Sequence, residues 1–359
     1  MLFRSDAQSC GASSRHRTGH AGAARSYQWH EFGWVRADRG VAQCFGGIDS
    51  EKWRMSEFRS GFVCIVGRPN TGKSTLTNAL VGSKVAITSD KPQTTRHAIR
   101  GLVHRDHGQI VVVDTPGIHR PRTLLGQRLN ELVRTTWADV DVIAMCIPAD
   151  QPIGPGDRMI AQDIAEMQKT PKVAIVTKTD LVGKKRLAEQ LIDVQSLARR
   201  NGWEWEHIVP VSALEGDNLE TVIDLLISLL PTGPALYPQG EVTEEPEDVM
   251  VAELIREAAL DGVRDELPHS IAVVVEEVKL RDGRSESKPL LDIHAFLYVE
   301  RESQKAIVIG KGGQRLKDVG QRARLSIERL LGVPVFLDLR VKIAQDWQRD
   351  PKQLNRLGF

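Results

Sequence analysis

The stretch Gly67-Arg68-Pro69-Asn70-Thr71-Gly72-Lys73-Ser74-Thr75 (GRPNTGKST) decides the fold of this 359-residue chain. Two glycines with four residues between them, followed by Lys and Ser, form the P-loop pattern. The spacing is mechanical. The glycines let backbone N–H groups turn inward around an anion at the start of a helix, Lys73 reaches the β- and γ-phosphates, and the Ser74 hydroxyl is free to ligate Mg²⁺. The flanks agree, because an apolar run at 61–66 (GFVCIV) precedes the loop and an amphipathic helix pattern at 73–81 follows it. That is a strand, a loop and a helix.

Working outward, further apolar runs at 110–113, 142–147, 173–176 and 208–211 alternate with helical patterns at 124–134, 158–167 and 219–230, the last stopped by Pro231. Strands alternating with helices predict an α/β domain over 55–231 with a parallel-rich sheet covered on both faces.

Three further motifs sit at the ends of these runs. Asp114-Thr115-Pro116-Gly117 follows 110–113, which puts Asp114 at a strand's C-terminal end, where a carboxylate holds a water on Mg²⁺. Gly117 has no side chain to block its N–H from a γ-phosphate. Thr177-Lys178-Thr179-Asp180 follows 173–176, and Asp180 there accepts from the guanine N1–H and exocyclic amine. Adenine lacks that donor pair and would leave the carboxylate unpaired. Ser212-Ala213-Leu214, after 208–211, is suited to meet the guanine O6 with a backbone N–H. Thr94 and Thr95 lie in a polar stretch, 90–96, long enough to fold over a nucleotide as a switch loop. The expected Mg²⁺ set is Ser74, Thr94, Thr95 and Asp114, and the expected catalytic group is Lys73, Thr95, Asp114 and Gly117. Nucleotide contacts are expected from 67–75, 114–117, Thr177, Lys178, Asp180 and 212–214.

The C-terminal third is of another type. Residues 232–247 combine Pro and Gly with Glu241, Glu244, Glu245 and Glu247 and read as a linker. A helix at 249–267, strands at 271–280 and 291–300, an apolar turn at 306–309, a helix at 314–331 and a strand at 334–342 then predict a small α+β domain over 248–344, with 345–359 as a tail. Gly310-Lys311-Gly312-Gly313 fits the GxxG loop that clamps a single-stranded nucleic-acid backbone. The pattern alone is weak, since about 1.7 chance matches are expected at average glycine usage. Context strengthens it. An amphipathic helix follows, and residues 301–359 carry 13 Lys plus Arg against 6 Asp plus Glu, with Lys311, Arg315, Arg322 and Arg329 at helical spacings. RNA contacts are expected from Ile309, Gly310, Lys311, Gly312, Gly313 and Arg315.

Composition excludes other classes. With 48 Lys plus Arg against 47 Asp plus Glu, nucleic-acid affinity must come from local asymmetry rather than net charge. No run of about 18 apolar residues offers a membrane span. Cys10, Cys44, Cys64 and Cys146 show no paired spacing, which argues against a zinc site and fits a reducing compartment. Residues 1–54 lack periodicity and are expected to be disordered and dispensable, with Met55 a candidate start. Their acid-poor, Arg- and Ser-rich beginning also suits a transit peptide.

The motifs at 67–75, 93–96 (QTTR), 114–117, 177–180 and 212–214 resemble the five guanine-nucleotide motifs of the Era group of translation-factor-related GTPases. The likeness runs from about residue 56 to the C-terminus and includes the domain order. It implies a GTP-hydrolysing switch with GTP or GDP and Mg²⁺ as ligands. It also implies a C-terminal KH domain of type II that captures the 3′ end of 16S ribosomal RNA, and a role in 30S subunit assembly in the cytoplasm. No DNA partner is expected. One position departs from the family pattern: its fourth motif begins with Asn, and Thr177 stands there. Asn70 resembles the P-loop residue with which related GTPases bind K⁺, the loop at 83–89 closing the cage, and Ile118 after Gly117 cannot orient the attacking water. A GTP-controlled protein on the cytoplasmic face of the inner membrane is the alternative, its basic C-terminal region meeting anionic lipid. A tRNA-modification GTPase is disfavoured, because no Cys lies near the C-terminus.

Overall fold

The computed structural model describes residues 58–359, apart from 90, 92, 93, 119, 120, 122, 264–266, 286 and 287. The extension at 1–54 and Gln93 lie outside the described residues.

The first domain runs β1 (Arg59–Val66), α1 (Lys73–Val81), β2 (Ile99–Arg105), β3 (Gly108–Asp114), α2 (Leu124–Ala138), β4 (Val142–Pro148), α3 (Pro155–Ala165), β5 (Lys172–Thr177), α4 (Lys184–Arg200), β6 (His207–Pro210) and α5 (Leu219–Leu229). The sheet order is β2-β3-β1-β4-β5-β6, and only β2 runs antiparallel to its neighbour. The inner strands are apolar at nearly every position because both faces are covered. Val63 and Ile65 of β1 pack with Leu76 and Leu80 of α1 and Leu226 of α5. Cys64 and Val66 of the same strand pack on the other side with Trp137 of α2, Ile160 of α3 and Val194 of α4. β2 escaped the sequence reading because Arg100, His104 and Arg105 break its apolar run at the sheet edge.

The expected linker does not hang free. Leu102 N–H of β2 donates to Val242 O at 2.9 Å, Arg100 pairs with Glu244, and Tyr237 is tied through the Gln109 side chain. The strap covers an edge strand whose bare backbone groups would otherwise invite another chain.

The second domain runs α6 (Glu247–Leu260), α7 (Leu267–Ser270), β7 (Ala272–Leu280), β8 (Leu291–Val299), α8 (Glu302–Ile309), α9 (Gln314–Leu331), β9 (Val335–Ile343) and α10 (Pro351–Arg356). Its sheet, β7-β8-β9, is antiparallel then parallel. Ile293, Ala295 and Leu297 of β8 face Leu254 of α6, Val308 of α8 and Val319, Ala323 and Ile327 of α9.

Three expectations change. The helix expected over 249–267 ends at Leu260, where an extended Asp261 and a left-handed Gly262 (φ 68°) leave the helical path. The apolar turn at 306–309 is the end of a full helix, α8, which Gln304 starts by accepting from the N–H groups of Glu300 and Arg301. The tail at 345–359 is packed: Trp347, Leu354 and Leu357 are buried with Phe296 and Tyr298 of β8 and with Leu125 and Leu129 of α2. It therefore belongs to a core shared by both domains. Among the described residues no helix is long and apolar enough to cross a membrane.

Candidate functional site

The P-loop bends between β1 and α1, and its interior is held by its own side chains. Lys73 Nζ donates to Arg68 O at 3.0 Å, and Thr71 Oγ1 donates to the same carbonyl at 3.1 Å. Arg68 is fixed from outside by the buried Asp157 of α3, with Nε 3.0 Å from both carboxylate oxygens. Asp157 gave no signal in the sequence beyond an acid near a helix start. Gly117 lies hard against the loop, and a Cβ there would sit 2.8 Å from Pro69 N. Asn70 adopts a left-handed φ of 63° and, with Thr75, Thr88 and Ser89, lines the pocket over the loop.

At the mouth of that pocket three side chains from separate elements converge. Ser74 Oγ donates to Asp114 Oδ2 at 2.6 Å and lies 2.9 Å from Thr95 Oγ1, which in turn donates to the same carboxylate oxygen at 3.3 Å. The parallel register of β1 and β3 sets Asp114 beside Ile65, at the sheet's C-terminal edge. Burial pushes the Asp114 carboxyl above its ordinary range, against the pull of Lys73 and the two hydroxyls. Burial likewise pushes the Lys73 ammonium down, with Asp114 opposing. Asp114 Oδ1 is buried and has no hydrogen-bond partner among the described residues. Two hydroxyls and a carboxylate are hard oxygen donors, and with phosphate oxygens they fit Mg²⁺. Of the two threonines expected there, the fold brings Thr95 and not Thr94, whose hydroxyl donates to Lys91 O at 2.6 Å. Thr115 also departs from expectation: its buried hydroxyl donates to Ile65 O at 2.8 Å, tying β3 to β1.

The residue after Thr95 leads into the second domain. Arg96 is 1% exposed, and its guanidinium donates to Ile271 O at 2.6 Å, His269 O at 2.8 Å and Pro268 O at 3.1 Å. It also lies 5.6 Å from the centre of the Trp347 ring, while His97 stacks on Phe359. Arg256 of α6 donates to Thr94 O. Arg96 was visible in the sequence only as the last letter of QTTR.

The base-side motifs close over the far end of the loop. Thr177 Oγ1 donates to Thr71 O at 2.6 Å, so Thr177 makes the tie to the P-loop that its departure from Asn had left open. Ser212 Oγ donates to Asp180 Oδ1 at 2.6 Å, bringing the two base-side motifs together. Lys178 turns through a left-handed φ of 60°, and Leu214 stands 79% exposed beside Ala213 and Ser212.

In the second domain, the GxxG loop joins α8 to α9. Gly310 is required by a close approach: a Cβ there would lie 2.7 Å from Arg315 Cβ. Nothing lies within 4 Å of a Cβ built on Gly312 or Gly313, and Lys311 is exposed, so the loop presents backbone and a cation to solvent. Ile309 is half-buried behind it. Beside the loop, α9 and the edge strand β9 wall a cleft of about 650 Å³ lined by Leu316, Gly320, Val335, Leu337 and Leu339, with Lys317 and Arg324 at its rim. Arg315, expected at the RNA, instead closes the end of α6, its Nη2 donating to Asp261 O at 2.9 Å. Arg322 does the same at Ala258 O, 3.1 Å away, and pairs with the Asp261 carboxylate. Helix ends expose unpaired carbonyls that attract cations.

A P-loop with a strand-end Asp, a guanine-side Asp and an appended GxxG module defines a P-loop GTPase carrying a KH domain. The family model described as 50S ribosome-binding GTPase matches residues 62–178, and that of the KH domain matches residues 266–348. The chain is 66% identical over 310 residues to GTPase Era of Streptomyces coelicolor, covering 86% of this chain and 98% of that one. It is 66% identical over 306 residues to GTPase Era of Mycobacterium avium, covering 85% and 100%. Its fold matches a crystal structure of Era in complex with MgGDPNP and nucleotides 1506–1542 of 16S ribosomal RNA, at TM-score 0.79 and 38% identity over 84% of this chain and 99% of that one. A structure of an Aquifex aeolicus Era variant bound to GDP and AlF4⁻ matches at TM-score 0.78 and 37% identity, with the same coverage. The chain belongs to the Era family of GTPases.

Proposed function

We propose that this GTPase binds the 3′-terminal region of 16S ribosomal RNA through its KH cleft under control of the bound guanine nucleotide, and that it acts in the cytoplasm in assembly of the 30S subunit. The observation that carries this reading is a relative solved with both ligands, whose whole length this chain matches at 38% identity. In this reading Lys73 neutralises the β- and γ-phosphates, and Ser74, Thr95 and Asp114 hold Mg²⁺. Gly117 donates to the γ-phosphate, Asp180 reads the N1–H edge of guanine, and the N–H of Ala213 meets its O6. Lys311 and the backbone of Gly310, Gly312 and Gly313 take RNA phosphates, and the apolar cleft takes bases. Mg²⁺, when bound, offsets charge developing on the transferred phosphoryl group.

Water activation falls to groups other than the residue after Gly117, since Ile118 is buried in the apolar core. Asn70, Thr88 and Ser89 line one pocket, which would suit K⁺. Hydrolysis should then run faster in K⁺ than in Na⁺ at matched ionic strength.

The test is binding of purified protein, loaded with a GTP analogue, to an RNA of the 16S 3′-terminal sequence, to a scrambled RNA and to anionic vesicles. Preference for the native sequence supports the reading. Equal binding to both RNAs together with strong vesicle binding would favour peripheral membrane attachment through the basic C-terminal region.

A further inference from the structure

Both segments that lead away from the Ser74, Thr95 and Asp114 cluster end against one piece of the second domain. Thr95 is followed by Arg96 and His97, and the 114–117 loop leads on to α2. His97 stacks on Phe359 with ring centres 5.2 Å apart and planes inclined by 19°, and Phe359 stacks in turn on Trp347 at 5.6 Å. The Arg96 guanidinium lies 5.8 Å from the centre of the Phe359 ring. From α2, Leu125 and Leu129 pack with Trp347, Leu354 and Leu357, while Arg128 donates to Asn355 Oδ1 at 2.7 Å and to Phe359 O. Leu125 N–H, in the first turn of α2, donates to Gln348 O at 3.0 Å. Helix starts leave such N–H groups without partners of their own.

The same piece is rooted in the KH sheet. Ala344 N–H donates to Val299 O of β8 at 2.8 Å, and the fully buried Trp347 donates from Nε1 to Ser270 O at 3.0 Å. Residues 347–359 therefore join that sheet to the segments flanking the cluster. The join bears on chemistry because the cluster tolerates little error. Mg²⁺ takes oxygens at about 2.1 Å in a near-ideal octahedron. Consecutive Cα atoms are only about 3.8 Å apart, so the place of Arg96 and His97 limits where the Thr95 hydroxyl can fall.

We propose that residues 347–359 are a positioning element for GTP hydrolysis: braced by α2, the Phe359 ring fixes His97 and so sets Thr95 at the Mg²⁺ site. The proposal rests on the reading of Thr95 as a Mg²⁺ ligand above and adds the residues that place it.

The test is Phe359→Ala and His97→Ala in the full chain, which remove the stack from either side. Three quantities are read: GDP affinity, the Mg²⁺ concentration that half-saturates the complex with a non-hydrolysable GTP analogue, and kcat for GTP. Each variant should keep GDP affinity within about twofold, need about tenfold more Mg²⁺ and lose about tenfold in kcat, the scale of a sub-ångström misplacement. The double variant should lose no more than either single one, because the two rings form one contact. Phe359→Tyr, which keeps the ring, should behave as native. His97→Ala carries the test alone should Phe359→Ala not fold. Native Mg²⁺ dependence and kcat in the folded variants would overturn the proposal and leave the tail as an adhesive between domains. A loss of GDP affinity as large as the loss of rate would overturn it too, since that reports damage to the whole site. Thr95→Ala separates the two levels: native Mg²⁺ dependence there would sink the metal-site reading itself, whatever the stack does.

Discussion

The nucleotide site and the KH loop are both proposed to take phosphate, yet they are built in opposite ways. At the nucleotide site Lys73, Asp114 and Asp157 are buried, Arg68 half so, and the groups are wired together: Lys73 to the Arg68 carbonyl, Arg68 to Asp157, Ser74 and Thr95 to Asp114. Charges removed from water act strongly and depend on their partners. The KH loop offers Lys311 and Gly312 to solvent, with Gly310 and Gly313 half-buried beside them. There the interaction is screened, additive and salt-dependent. Loss of one group should therefore be severe at the first site and graded at the second.

The largest effect is expected at Lys73. Lys73→Ala should weaken GTP binding by about 100-fold or more, since hydrogen bonds to charged groups are the strong ones and several converge on that ammonium. Nucleotide titration checks this, and near-native affinity in a folded variant would remove the P-loop from the account. Asp180→Asn comes next. Affinity for GDP should fall by about 10- to 100-fold while xanthosine nucleotides gain, because the amide donates where xanthine presents an acceptor. A variant that still prefers guanine would place the base elsewhere.

Gly312→Asp tests the second region. It puts a carboxylate into open space where phosphates approach, and RNA affinity should drop by about tenfold with GTP affinity unchanged within about twofold. Unaltered RNA binding would reject the loop as the RNA clamp. Lys311→Ala should have the smallest effect, a loss of about two- to fivefold, with the slope of log affinity against log salt reduced by about 1. A large, salt-independent loss there would mean that the two regions are built alike after all.

The parts legible in the sequence were those written locally. The P-loop and the helix after it, Lys73–Val81, lie where the spacing of glycines and apolar residues puts them, because strand, loop and helix are contiguous. The parts that escaped depend on distant partners. Trp347 and Leu354 are buried against Leu125 and Leu129, yet α10 is only six residues long and shows no helical period to read. Arg315 recurs at the same helical spacing as a solvated cation would, and only the position of the α6 carbonyls shows what it does. Thr94 and Thr95 are equivalent as letters. In the fold the Thr95 hydroxyl meets Asp114 and the Thr94 hydroxyl meets Lys91 O, while Arg96 beside them is anchored in the other domain.

That anchoring links the Ser74, Thr95 and Asp114 cluster to the second domain through consecutive residues, Thr95 in the cluster and Arg96 bonded to the carbonyls of Pro268, His269 and Ile271. The most direct test is the affinity of the full chain for an RNA of the 16S 3′-terminal sequence, measured with a non-hydrolysable GTP analogue and with GDP at the same salt. A switch should bind that RNA at least about tenfold more tightly with the GTP analogue, a coupling of about 1.4 kcal/mol. Equal affinities in the two states would contradict it, leaving a GTPase and an RNA-binding domain that share a chain without communicating.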